Sequence, residues 1–268
     1  MEKKLTITII MILLFCIVVG GVLFLQNNAT EPQSGGEDTG DVDDHYRTVM
    51  DLQVGQTTQF GGRDWLVLDV EGTHALLLHE TVINNQPYHR TDNDATWETS
   101  SSRAWLNGEF LNQFSAMDRA RIKETKVIND DNPWTFSKDT GNSNHTPGGE
   151  NTTDKIFSLS IEEVTKYFGG SELLELGKNE SNRNGSIDGL PGGDFYGQIR
   201  ERNEVSESRK ARNAVGEDSS WLLRSPGIVS HFAANVTEDG SLSVHGRNTV
   251  SFKHTQGLRP ALWLDLES

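Results

Sequence analysis

Arg224 and Arg259 are the residues whose settings first suggest chemistry. Each stands inside an apolar stretch: Trp221-Leu222-Leu223-Arg224-Ser225-Pro226, and Gly257-Leu258-Arg259-Pro260-Ala261-Leu262-Trp263-Leu264. A guanidinium in such surroundings needs oxygen acceptors. An internal ion pair or carbonyl clamp that fixes loops supplies them. So does an anion or sugar site in which Arg224 and Ser225 donate to a ligand. Tyr88, Trp97 and Trp134 lie in polar, loop-like segments rich in Asn, Asp and Arg. Aromatics placed this way either anchor loops or stack against a carbohydrate. Tyr88, Trp97, Arg224 and Ser225 are therefore the candidate ligand-binding residues.

Asp92-Asn93-Asp94-Ala95-Thr96-Trp97-Glu98 spaces side-chain oxygens at alternate positions, as calcium loops do. Asp92, Asp94 and Glu98 are the candidate calcium ligands. The segment lacks the glycine and distal glutamate of an EF-hand, and a polar turn feeding a strand or helix accounts for it equally well. Standard catalytic patterns are absent. His79-Glu80 has no His three residues on, so no zinc helix of the H-E-x-x-H kind forms. No nucleophile elbow, Ser-x-x-Lys pair or phosphate-binding glycine loop occurs. Glu80, Glu98 and Glu109 can serve as acid and base in a carboxylate-based hydrolase, which is the enzymatic alternative. No catalytic residue, cofactor or resident metal is assigned.

The chain must hold these residues in a domain, and its charge places that domain. Lys and Arg number 24 against 39 Asp and Glu, for a net charge of −15. That balance disfavours sequence-independent nucleic-acid binding. A single cysteine, Cys16, excludes a disulfide framework. Leu5 to Leu25 runs without a charge. A helix of that length spans about 31 Å, close to the hydrocarbon thickness of a bilayer. Lys3 and Lys4 precede it and no Lys or Arg comes after it until Arg47, so the positive-inside bias exports the remainder of the chain. The expected organisation is a cytoplasmic tail at 1–4, a transmembrane anchor at 5–25, a flexible acidic stalk at 26–45 and an extracytoplasmic domain at 46–268. The stalk carries Glu31, Glu37, Asp38, Asp41, Asp43 and Asp44 and no base, which suits a solvated spacer.

Within 46–268, alternation predicts a strand over Trp65–Val70, a turn at Glu71-Gly72 and a returning strand over Ala75–His79. Ser100 or Ser101 caps an expected helix bearing Ala104, Leu106, Phe110, Leu111 and Phe114. Ser115 caps a second. Ser160 with Glu163 makes a capping box for a third, ended by Gly169-Gly170. Residues 129–154 and 177–219 are long polar stretches, either functional or disordered. Strands return near Trp221, Phe232–Val236, Leu242–His245 and Trp263. Strands at both ends with helices between predict an α+β domain, with the Trp65 and Trp263 strands paired.

Four blocks occur in order: FGGRDWLVLDV with ALLLHE, PYH with TWETSSSRAWLNGEFLNQF, DKIFSLSIEEVTKYFG, and SSWLLRSPG with GLRPALWL. Together they resemble the DUF6273 family of bacterial extracytoplasmic domains, over nearly all of residues 50–266. That family is similar to C-type-lectin-like and sulfatase-modifying-factor folds. The resemblance implies a C-type-lectin-like α+β domain whose terminal strands meet, and brings no activity. The expected protein is a single-pass surface protein displaying a binding module. Its partners would be an extracellular glycan, cell-wall component or protein, with the lipid bilayer held by the N-terminal helix. A non-catalytic envelope scaffold is the remaining alternative.

Overall fold

Two short glycine turns and a run of alternating side chains build the first sheet. The structure, a computed structural model, describes residues 52–91, 93–136, 145–170, 193–194, 198–199, 203–249 and 256–267. Strand β1 (Thr57–Phe60) turns into β2 (Arg63–Glu71), which turns at Gly72 into β3 (His74–His79). Gly72 has φ 58°, a left-handed conformation open to glycine without strain. Trp65 and Val67 of β2 are fully buried, as are Ala75, Leu77 and Leu78 of β3. The last strand, β15 (Ala261–Asp265), pairs antiparallel with β3, placing Trp263 opposite Leu76. The sheet order is β1-β2-β3-β15. The C-terminal strand thus returns to the opening hairpin, but β3 is its partner and not the Trp65 strand. The reason is local: β1 already occupies the outer edge of β2, with Thr58 opposite Trp65.

The second sheet has the order β4 (Ile83–Asn84), β14 (Gln256–Leu258), β11 (Ser220–Pro226), β12 (Phe232–Val236), β13 (Leu242–Asn248), β10 (Gln198–Ile199), β9 (Gly193–Asp194). Every residue of β11 is buried, which explains its unbroken apolar reading around Arg224. β11 runs parallel to β14, and β14 antiparallel to β4. A side chain at Gly257 would place its Cβ 2.0 Å from the Ile83 carbonyl oxygen, so only glycine lets β4 lie this close. Two small ribbons complete the described strands: β5 (Thr125–Val127) with β8 (Thr152–Asp154), and β6 (Asn132–Phe136) with β7 (His145–Thr146).

The helices are short. α1 (Ser101–Trp105) starts at Ser100, whose hydroxyl accepts from the Arg103 N–H. α2 (Ala116–Arg121) is capped by Ser115. α3 (Ile161–Phe168) carries the full capping box: Glu163 N–H donates to the Ser160 hydroxyl, and Ser160 N–H to the Glu163 carboxylate. α4 (Asn203–Arg209) is the last among the described residues. The regular helix expected through Phe114 does not form. α1 passes into a π-turn over Leu106–Phe110 and a 3₁₀ turn over Leu111–Gln113. The Asn107 side chain accounts for this. Its amide N–H donates to the Arg103 carbonyl, the acceptor an α-helix would use, and to the Ile156 carbonyl. Its oxygen accepts from the Lys155 and Ile156 N–H groups.

The expected class, an α+β C-type-lectin-like domain preceded by one transmembrane helix, is corrected. Among the described residues strands predominate and the longest helix, α3, has 8 residues. No helix among the described residues is long and apolar enough to cross a membrane. Strands of two or three residues, such as β7 and β8, fall in the stretch 129–154 that reads as polar in the sequence. They are too short to leave an alternation pattern. The chain divides into Met1–His45 and Tyr46–Ser268. The tail, the Leu5–Leu25 run and the acidic segment lie outside the described residues, as do parts of 129–154 and 177–219.

Candidate functional site

Tyr88, Trp97, Arg224 and Ser225 come together, but inside the protein. All four are buried. The Tyr88 hydroxyl donates to the Arg224 carbonyl at 3.1 Å, and burial pushes the phenol above its usual value. The Tyr88 and Trp97 ring centroids lie 6.3 Å apart. Trp97 Nε1 donates to Asp154 at 2.9 Å. The Asp154 carboxylate also accepts from Arg103 Nε at 2.7 Å and the Thr152 hydroxyl at 2.6 Å. Arg224 grips Glu163 with both terminal nitrogens, at 2.5 and 2.9 Å. It also donates to the carbonyls of Ser158 and Ile128. Ser225 Oγ accepts from the Ile161 N–H at 3.0 Å. The polar groups of this cluster are met within the protein, and together they hold the start of α3 in place.

The other candidates are dispersed. Asp94 and Glu98 are exposed, and Asp92 lies outside the described residues. Among the described residues no group of three or more His, Cys, Asp or Glu is placed to hold a metal ion. Trp134 falls in β6, and its side chain lies outside the described residues. Glu80, Glu98 and Glu109 are all exposed. Glu80 borders a charged cavity beside Thr81 and Asn213, without Glu98 or Glu109. Burial, with Asp130 adding to it, pushes the Glu162 carboxyl up, but Glu162 does not line that cavity.

The open site lies elsewhere. A cavity of about 800 Å³ is walled by Arg63 of β2, His79 at the end of β3, and the β4 segment with Asn84 and Asn85. Trp105 at the end of α1, Phe110 of the π-turn, Gln113 and the turn at 213–217 complete it. That volume is in the range of small-molecule sites. The π-turn shapes one wall, because widening the helix brings positions five apart into register: the Trp105 and Phe110 rings stand 5.2 Å apart at 32°. Arg63 lies over Phe110 and Phe114 at 5.1 and 4.9 Å, and donates to the Gly61 carbonyl and Gln113. Asn85 holds a left-handed φ of 62°. The Asn213 oxygen accepts from the Val215 and Glu217 N–H groups, fixing a turn that presents exposed Val215 and Ala214.

Beneath this wall, buried Arg259 donates to the His79 carbonyl at 2.9 Å and lies over the Trp221 ring. Burial pulls its guanidinium down to about 10. The His79 imidazole is pushed below its usual value, first by burial and then by the positive charges of Arg63 and Arg259. The charged cavity, of about 580 Å³, adjoins at Thr81 and Asn213. Lys210 pairs there with Glu207 and Arg212 with Asp218.

Sequence reasoning missed His79 and Trp105. Their signals were faint: a histidine closing the apolar run Ala75–Leu78, and aromatics five apart at 105 and 110. A family model described as "Domain of unknown function (DUF6273)" matches residues 72–266. No curated protein and no solved structure matches the chain.

Proposed function

The chain belongs to the DUF6273 family, and from that premise we propose that it is a ligand-binding module whose site is the cavity between β3, β4, the π-turn and the 213–217 turn. The ligand is a polar small molecule or chain end of the glycan or cell-wall class. One observation carries this reading: a roughly 800 Å³ cavity combines an aromatic wall, Trp105 and Phe110, with polar side chains that include Asn85, Gln113 and His79. Apolar walls with a few convergent polar groups are the usual composition of such sites. The buried Tyr88–Arg224 cluster serves this module as a brace.

Presentation outside the cytoplasm is part of the same proposal. It is supported by the absence of cysteine from 46–268 and by the base-free acidic segment at 26–45. The test is retention of the full chain on insoluble cell-wall polysaccharide and on a glycan array, with and without calcium. Saturable binding is expected. No retention on any surface would sink the proposal.

A further inference from the structure

His79 and Trp105 carry unspent hydrogen-bonding capacity of opposite kinds. His79 Nδ1 lies 2.8 Å from the Thr81 carbonyl oxygen. A carbonyl only accepts, so Nδ1 bears the proton and Nε2 is a bare acceptor. The imidazole sits edge-on to Trp65 and Phe110, with centroids at 5.1 and 6.3 Å, and that packing holds its orientation. Among the described residues Nε2 has no hydrogen-bond partner, and it is not among the sealed, unpartnered atoms, so solvent reaches it. Trp105 Nε1–H is a donor only. It too has no partner among the described residues and is not sealed. Both residues line the same cavity, with Phe110 in contact with each ring.

We propose that His79 Nε2 and Trp105 Nε1–H form an acceptor–donor pair that selects a hydroxyl-bearing saccharide, and that His79 does so only while neutral. This rests on the binding-module reading. Ligand chemistry is narrowed by the groups each class leaves unmet. A carboxylate or phosphate offers acceptors and gives Nε2 nothing to accept. An ammonium offers donors, leaves the indole unmet and faces Arg63. A purely apolar ligand leaves both unmet. Sugar hydroxyls donate and accept, and the C–H face of a sugar ring suits an aromatic wall.

The setting keeps His79 uncharged. Burial, Arg63 from β2 and Arg259 from the segment before β15 oppose protonation. Asp64 of β2 and the Thr81 carbonyl favour it. Glu80, next in the chain, and Glu109 on the π-turn are exposed. Once protonated, Nε2 becomes a donor and the pair no longer matches a hydroxyl.

The experiment is NMR on the full chain labelled with ¹⁵N at histidine and tryptophan. The probe is a soluble bacterial peptidoglycan digest, separated into glycan and peptide fractions. The histidine spectrum alone is expected to show His79 in the Nδ1–H tautomer; an Nε2–H tautomer would overturn the proposal before any ligand is added. The glycan fraction is expected to move the His79 Nε2 and Trp105 indole resonances. Affinity should fall at least tenfold as His79 becomes charged. His79→Leu should weaken binding at least tenfold where His79 is neutral and remove the acid-dependent loss, with the rest of the spectrum retained. His79→Gln carries an amide oxygen near the Nε2 position and no titrating proton, so it should keep binding at acid pH. Binding that moves only resonances outside the cavity, or binding of the peptide fraction alone, overturns this assignment and leaves the module reading standing. If neither fraction binds, this assignment falls, and the module reading falls with it only if cell-wall polysaccharide and the glycan array also retain nothing.

Discussion

Removing the Glu163 carboxylate should cost more stability than its partly exposed position suggests. The Glu163 side chain is 28% exposed, but its partner Arg224 is only 4% exposed. Glu163→Ala removes both bonds to Arg224 Nη1 and Nη2 and leaves a buried guanidinium with only the Ser158 and Ile128 carbonyls. Removing one member of a buried pair costs about 3–5 kcal/mol. The two surviving carbonyl bonds and the partial exposure of Glu163 place this case near about 3 kcal/mol. The same substitution removes half of the capping box, the Ser160 N–H bond to the Glu163 carboxylate, while the Ser160 hydroxyl still accepts from the backbone N–H at 163; this adds about 0.5–1 kcal/mol. The expected loss is about 4 kcal/mol. Glu163→Gln keeps a capping group and one neutral hydrogen bond to Arg224, so about half that loss is expected. Equilibrium urea unfolding of the full chain measures both, with the denaturant slope unchanged. If Glu163→Ala lies within about 1 kcal/mol of wild type, the Arg224 charge is not held by Glu163, and the bracing role assigned to the buried cluster fails.

Other perturbations test separate parts of the structure. Because the folded protein holds His79 below its ordinary value of 6.5, the unfolded chain binds this proton more readily, and stability falls as pH drops through 6.5 toward the folded value. A melting-temperature series in which His79→Leu flattens that acid limb checks the sign; an unchanged limb refutes it. Gly257→Val forces a Cβ against the Ile83 backbone, and should cost at least about 3 kcal/mol because no flexible side chain can yield. Urea unfolding that matches wild type would show that β4 can retreat freely. Trp97→Phe leaves Asp154 without its indole donor, and should cost about 1–3 kcal/mol by the same measurement. A neutral result would mean that water replaces the bond. Asn85→Gly should be close to neutral and Asn85→Val destabilising by about 1–2 kcal/mol, as its φ of 62° requires.

Features that depend on a few adjacent residues were legible in the sequence. Ser160 and Glu163 form the expected capping box, and Ser100 and Ser115 cap as their positions imply. The Glu71-Gly72 turn joins the expected hairpin. Arg224 was readable as a clamped guanidinium, because an apolar strand leaves such a group no water. Long-range arrangement was not legible. The parallel pairing of β11 with β14 and the intrusion of β3 between the Trp65 and Trp263 strands depend on contacts far apart in sequence. The cavity draws on positions near 63, 79, 84, 105, 113 and 213, so no local motif announces it. The π-turn that shapes it arises from Asn107 bonding to residues 155 and 156, far along the chain. Aromatics in polar segments misled in a definable way: Tyr88 and Trp97 have polar neighbours in sequence, but both are buried in the core and their polar atoms are bonded within it.

The most direct measurement blocks the cavity from its rim. Ala214 is exposed on the 213–217 turn and borders the cavity. Ala214→Trp should fill the mouth without touching the core. In an affinity titration of the full chain with the peptidoglycan glycan fraction, binding at this cavity predicts at least a tenfold loss of affinity at an unchanged melting temperature. Full affinity in the Ala214→Trp protein would contradict it and place ligand binding outside this cavity.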